Sequence, residues 1–263
     1  MKRHLPKITV LILFFFFTTT YSQSRFSHEA GIFFGPASLQ TDFGISGDFP
    51  SANQATLAFG VTHYLKFFGS QYSWRSGSSY FTDHFKLKTE FLYMNNSNIS
   101  HEGIKGTGEN AQKLEAMKGQ VKMYNIGTNL EFYFLELEDY SSFYRSSGSL
   151  NPFISIGVHF SMYDPDILVN EVSLEGQEEP YTQLIDKWQE GAIYLDKGNT
   201  FGASVGAGLR YSLDKFDLVL DGRYQYFFSD QVDGLEALDD SANKNNDTMV
   251  FINLGVVYVF NKY

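Results

Sequence analysis

The sequence predicts an all-β chain: an eight-stranded antiparallel transmembrane β-barrel with long extracellular loops. Three observations predict it. An export leader opens the chain, no later apolar run is long enough for a membrane helix, and apolar residues recur at alternate positions in segment after segment, separated by turn residues. A bilayer-spanning chain without a spanning helix must close its strands on themselves, because only helices and closed barrels satisfy every backbone polar group in lipid.

The leader is short and ordered as export signals are. Lys2, Arg3 and Lys7 flank an apolar run from Ile8 to Phe17 broken only by Thr9, and Thr20-Tyr21-Ser22 places small residues where a signal peptidase reads. A spanning helix needs about 20 residues, more than this run supplies. Cleavage is expected between Ser22 and Gln23, giving a signal peptide over 1–22 and one barrel domain over 23–263. The chain has no cysteine, so neither a lipoprotein anchor nor a disulfide is available. A Gram-negative envelope fits better than the disulfide-rich secreted class. Loss of the three basic leader residues takes the net charge from −10 to −13. Nucleic acid and anionic surfaces, which reward basic patches, are disfavoured as partners.

The strands follow in order. Segment 28–38 places Ile32 and Phe34 on one face, and 54–66 places Leu57, Phe59, Val61 and Leu65 there; both are the least regular. Over 84–93, Phe85, Leu87, Phe91 and Tyr93 oppose His84, Lys86, Lys88 and Glu90. Over 120–134, Tyr124, Ile126, Leu130 and Phe132 oppose Asn125, Gly127, Asn129 and Glu131. Ile154, Ile156, Val158 and Phe160 oppose Ser155, Gly157, His159 and Ser161. Phe201 to Tyr211 repeats the split against Gly202, Ser204, Gly206, Gly208 and Arg210, and Phe216 to Tyr226 sets Leu218, Leu220 and Tyr224 against Asp217, Asp221, Arg223 and Gln225. The eighth strand carries Val250, Ile252, Leu254, Val256, Tyr258 and Phe260 against Asn253, Gly255 and Asn261. A soluble barrel with an oily interior, such as a lipocalin, would show water a face rich in Lys and Glu. Here the polar face is Gly, Ser, Asn and scattered charge, which suits a narrow filled lumen.

An even strand count puts both termini on one side, the periplasm of an exported chain. The intervals 39–53, 95–119, 164–198 and 229–247 then face outward and are long, while Ser212-Leu213-Asp214-Lys215 is a tight inner turn. Two inner intervals, 67–82 and 136–149, are longer than the pattern asks. They hold Trp74, Tyr80, Tyr140, Phe143 and Tyr144, so the strands are expected to run on there into an interfacial aromatic belt.

The inward charges Lys86, Lys88, Glu90, Glu131, Arg210, Asp221 and Arg223 must pair or meet water, since an unpaired charge in a closed lumen is costly. A structural ion-pair plug is preferred to a gated small-solute path, for which eight strands leave little room. His159 is expected inside near the outer mouth, with Asp164, Asp166, Asp230 and Asp233 on the loops; a rim hydrolase would place a His base there, but no spacing is diagnostic. The glycines of Gly202 to Gly208 lie within a strand and open no helix, which excludes a dinucleotide loop. The acidic stretch 233–247 lacks calcium-loop spacing, and no metal or cofactor is expected. Tyr181, Leu184, Ile185 and Trp188 recur at helical spacing between Pro180 and Gly191, which predicts a short helix across the mouth or an aromatic contact patch for an outside partner.

The stretches SHEAGIFFGPASLQTDFG, FGVTHYLKF, YFTDHFKLKTE, NPFISIGVHFS and YQYFFSDQVDGLEALDDSANKNND are similar to a family of small outer-membrane barrels from flavobacteria, within the Bacteroidota. The resemblance covers nearly all of the mature chain and is weakest near 100–112 and 166–198. It implies an outer-membrane location and carries over no catalytic residues, since the family has no assigned activity. Some relatives bear the label glutamate dehydrogenase, but this chain has no nucleotide-binding βαβ unit to match it. The last strand and Tyr263 resemble the terminal signal read by barrel-assembly machinery. Lipid, that machinery and an envelope protein are the expected partners of a non-enzymatic scaffold or accessory subunit.

Overall fold

A computed structural model describes residues 26–41, 43, 54–67, 79–101, 107–137, 148–177, 184–185, 192–235 and 246–260. Its elements are β1 (Phe26–Gln40), β2 (Gln54–Phe67), α1 (Tyr80–His84), β3 (Phe85–Ser100), α2 (Glu109–Glu115), β4 (Met117–Tyr133), β5 (Ser149–Val169), β6 (Val172–Ser173), β7 (Gly198–Ser212), β8 (Phe216–Phe227) and β9 (Thr248–Val259). Every strand but β6 pairs antiparallel with its chain neighbours, β5 with β7, and β9 returns to β1, so eight strands close the wall. Both ends of the wall chain meet at one rim, where Glu29 faces Val259.

The register fixes the size of the cylinder. Stepping across the wall from Tyr258 through Ala30, His63, Thr89, Thr128, Val158, Ala203 and Tyr226 returns to Thr248, so the circuit closes ten residues from its start (258 − 248). With about 3.3 Å per residue and 4.8 Å between strands, that stagger tilts the strands by about 40° and gives a Cα-to-Cα diameter of about 16 Å. Side chains fill such a bore.

Outward side chains form a continuous apolar belt. Ile32, Leu57, Ile156, Val158, Phe201 and Val205 are each more than half exposed, at 57–70 %. Aromatic rings line both edges. At the rim carrying the chain ends, Phe26, Phe67, Phe81, Phe85, Phe132 and Phe134 touch in succession at centroid distances of 4.8–5.8 Å, and Phe216, Tyr258 and Phe260 continue the ring. At the other edge Phe59, Tyr93 and Tyr124 are in contact, as are Phe160 with Phe201 and Tyr226 with Phe228.

Three strands run further than the alternation suggests. β3 reaches Ser100, β4 begins at Met117 and β5 extends to Val169, so the intervals read as loops at 95–119 and 164–198 are in part wall. The reason is a change of phase. Beyond Tyr124 the outward positions of β4 are Lys122, Gln120 and Lys118 and the inward ones are Met123, Val121 and Met117; beyond Met162, β5 turns Asp164 and Asp166 out and Ile167 and Val169 in. Above the belt the wall therefore has a polar exterior and an oily interior, the reverse of the pattern below. The lumen expected to hold only small groups and ion pairs is instead apolar in its outer part: Leu39, Leu92, Met94, Met123, Phe227, Met249 and Phe251 pack there, capped by loop residues Phe43, Leu174, Val232 and Leu235.

At the tip of β5, Asn170 and Glu171 take φ of 50° and 67°, the pair of positive values a two-residue hairpin turn to β6 requires. The inner turn after Ser212 is tight, closed by Leu213 N–H donating to Phe216 O at 2.9 Å. Into the interval 136–149 the strands do not run on, since β4 ends at Tyr133 and β5 starts at Ser149; residues 68–78 and 138–147 lie outside the described residues. Instead, α1 lies at that rim and adds Tyr80 and Phe81 to the ring of aromatics. Trp74, Tyr140, Phe143 and Tyr144 lie outside the described residues.

Candidate functional site

Among the described residues, the lumen gathers the densest set of charged and polar side chains, and it is layered. Nearest the rim with the chain ends, Arg210 on β7 is held by Glu29 of β1 through Nη2 and by Asp217 of β8, whose Oδ2 accepts from Nε at 2.7 Å. Lys86 of β3 donates to Glu29 Oε1 at 2.7 Å. The guanidinium lies 5.0 Å from the Tyr64 ring centroid, and Tyr133 O–H donates to Glu131 Oε2 at 2.6 Å. Tyr64, Tyr133, Phe153, Val219 and Val257 wrap this layer in apolar surface.

The next layer holds Arg223 on Glu90, and Lys88 between Glu90 at 3.1 Å and Asp221 at 2.9 Å. The seven charges singled out from sequence thus fall into two groups, with Glu131 on the Tyr133 hydroxyl between them. Glu29 and Asp217, which complete the first group, were not singled out: Glu29 sits in the irregular first strand. Along the described strands the buried charges number five basic (Lys66, Lys86, Lys88, Arg210, Arg223) and five acidic (Glu29, Glu90, Glu131, Asp217, Asp221), so the bore is balanced and needs no counterion. Each carboxylate and each cation is thereby compensated in a place where one alone would cost several kcal/mol.

Above and beside the second group, His159 Nδ1 lies 3.0 Å from Asn125 Oδ1 and Nε2 lies 2.8 Å from Ser204 Oγ. Asn125 spends its amide hydrogens on Ser161 Oγ and Gln225 Oε1, which turns its oxygen to the imidazole. The connectivity is that of a nucleophile, a base and its orienting group. Yet His159 is 2 % exposed, Ser204 5 % and Asn125 0 %, and the Ser204 hydroxyl, with one proton to give, also faces Asn129 Oδ1 at 3.1 Å. The three side chains are closed off from solvent. The layer owes its compactness to glycine: a Cβ at Gly127 would fall on the His159 ring, and one at Gly157 on the Asn129 amide.

His159 is therefore not at the outer mouth. Asp164 pairs with Lys197 at 2.8 Å and Asp166 accepts from Ser173 at 2.7 Å, both away from the imidazole, and Asp233 binds the Leu235 N–H of its own loop. Of the expected mouth helix, Tyr181 and Trp188 lie outside the described residues. Leu184 and Ile185 are not helical; Leu184 is buried among the lid residues at 3 % exposure, with Ile185 packed beside it, so Leu184 is not part of an exposed patch. Among the described residues no group of three or more metal-ligating side chains is found. Ser22 and Gln23 also lie outside the described residues.

At the end of the barrel away from the chain termini, His101 packs against Phe43 with tilted rings and centroids 4.8 Å apart, and burial pulls its pKa down to about 4. The unfolded chain, with a pKa near 6.5, binds that proton first, so this site stabilises the fold fully above about pH 6.5 and progressively less down to about pH 4. The expected result is that wild type loses about 1–3 kcal/mol more than His101→Gln when unfolding is compared at pH 7 and pH 4. Parallel losses in the two proteins would remove His101 as the cause.

The chain matches no protein-family model and no curated protein sequence. Among solved structures it is similar to the Neisserial surface protein A (12 % identity, 90 % of this chain and 98 % of that one, TM-score 0.40). It is also similar to Ail, the attachment invasion locus protein of Yersinia pestis (13 %, 90 % and 100 %, 0.35), and to a major outer membrane protein from Thermus thermophilus (9 %, 89 % and 99 %, 0.46). These are likenesses of shape, and no function is carried over from them.

Proposed function

We propose that this chain is an integral outer-membrane barrel of a Gram-negative, flavobacterial envelope, with residues 1–22 removed and both termini in the periplasm, that does no chemistry of its own. Its role is that of a scaffold or accessory subunit in an envelope complex. The observation that carries the reading is the union of two features in one wall: an exposed apolar belt edged by aromatic rings on both sides, and a bore that is closed and charge-balanced. The belt is a surface for hydrocarbon, and the rings sit where amphipathic groups are favoured. The packed bore argues against a solute path, and the burial of Ser204 and His159 argues against a hydrolase. Insertion by barrel-assembly machinery follows from the same reading.

Purified protein in planar bilayers is expected to show no discrete conductance. Steady, reproducible channels would move the assignment to a narrow small-solute pore. Cross-linking in intact envelopes separates the two forms of the leading reading, since an accessory subunit gives a stoichiometric adduct with one protein and a free-standing scaffold does not.

A further inference from the structure

Within the second charged layer and just beneath it, several buried polar atoms reach no hydrogen-bond partner among the described residues. They are Nε and Nη2 of Arg223, Nδ2 of Asn129, Oε1 of Glu131 and Oδ1 of Asp221. All four residues are at most 3 % exposed. Arg223 spends Nη1 on Glu90, leaving free the Nε–Nη2 edge, the one that presents two parallel donors. Asp221 spends Oδ2 on Lys88 and Asn253.

The register brings these atoms to one stretch of wall. Glu131 faces Ser155, Asn129 faces Gly157, Ser155 faces Gly206 and Gly206 faces Arg223, so β4, β5, β7 and β8 contribute in sequence. Ser155 Oγ and Asp221 Oδ1 both lie within 3.5 Å of where Gly206 would carry a Cβ. Apolar groups bound the stretch at both ends: Phe251 and Phe33 lie against Arg223 and Lys88 on the outer side, and Tyr64, Tyr133 and Phe153 close the inner side.

We infer that this stretch is a binding site for a small cluster of water molecules, sealed inside the barrel from both aqueous phases. The mixture of atoms selects the occupant. An anion would satisfy the three donors and meet two carboxylate oxygens; a cation would satisfy those oxygens and meet a guanidinium edge. Water both donates and accepts, carries no charge into a balanced bore, and makes about three hydrogen bonds where buried polar groups converge. Left without it, each of these atoms would bear the full desolvation penalty of an unmade hydrogen bond.

The absence of cysteine from the chain makes a direct test simple. In Ser155→Cys the thiol faces the cluster, and Asp196→Cys gives an exposed control. In heavy water the buried S–H stretch is expected to convert to S–D within minutes in the folded barrel, while a charged thiosulfonate leaves that thiol unmodified until unfolding and reacts at once with the control. A persistent S–H band would mean a dry interior, and labelling of the folded Ser155→Cys protein at the control's rate would mean an open path; either overturns the inference. Should that variant fail to fold, a crystal structure of the wild-type chain decides. Ordered water on Arg223 Nε or Nη2 and on Asp221 Oδ1 or Glu131 Oε1 is expected, and a different occupant, or direct closure of these atoms on one another, refutes it.

Discussion

Arg210→Ala is expected to destabilise the folded barrel by about 3–5 kcal/mol, the cost of leaving buried carboxylates without their cation. Arg210 is 2 % exposed and holds Glu29 and Asp217, which are both fully buried. Lys86 stays on Glu29, but Asp217 loses its guanidinium. Urea unfolding in detergent, followed by the difference in gel migration between folded and heated protein, measures the loss. Adding Asp217→Asn to Arg210→Ala should recover part of it, because one buried negative charge is then gone. A loss under about 1 kcal/mol, with no recovery in the double variant, would mean that water reaches the carboxylates and that the layer is not a plug.

The second large effect tests the belt. Ile156 is 64 % exposed and stands between Leu130 and Val205, midway between the two aromatic edges. On a soluble barrel Ile156→Arg would be harmless or would improve solubility. In hydrocarbon at mid-depth it should cost about 2–4 kcal/mol. Gln120→Arg on β4 is the matched control, since Gln120 also points outward but above the outer edge of the belt. Unfolding titrations in lipid vesicles should separate the two variants, and equal stability would argue that no lipid touches Ile156.

Much of this fold was legible because a one-sided belt writes itself into sequence as alternation. From Ile154 to Phe160 every second residue is apolar, and from Tyr124 to Phe132 all but Thr128 are, while the residues between are small, polar or charged. The signal failed where the physics changed sign. At Lys118-Gly119-Gln120-Val121-Lys122 the strand still alternates, but its outward side faces water and its inward side meets Leu92 and Met94, so a search for an oily exterior stops short. Inward charges were readable one strand at a time, whereas their partners were not. Arg210 meets Glu29 across 181 residues and Lys88 meets Asp221 across 133, and only the stagger of the closed wall decides which levels coincide. Ser204 and Asn125 escaped notice beside His159 for the same reason.

The seam between the first and last strands has a kinetic consequence. Glu29 pairs with Val259, so the cylinder cannot close before nearly the whole polypeptide is available. Every shorter assembly presents two unsatisfied strand edges and an oily flank to an aqueous compartment, the condition under which chains stick to one another. Closure over such a sequence separation is slow. On the outer-membrane placement proposed above, the unclosed polypeptide is the state a holdase chaperone would protect, and its yield in cells should fall when periplasmic holdases are depleted, even though the finished barrel needs none.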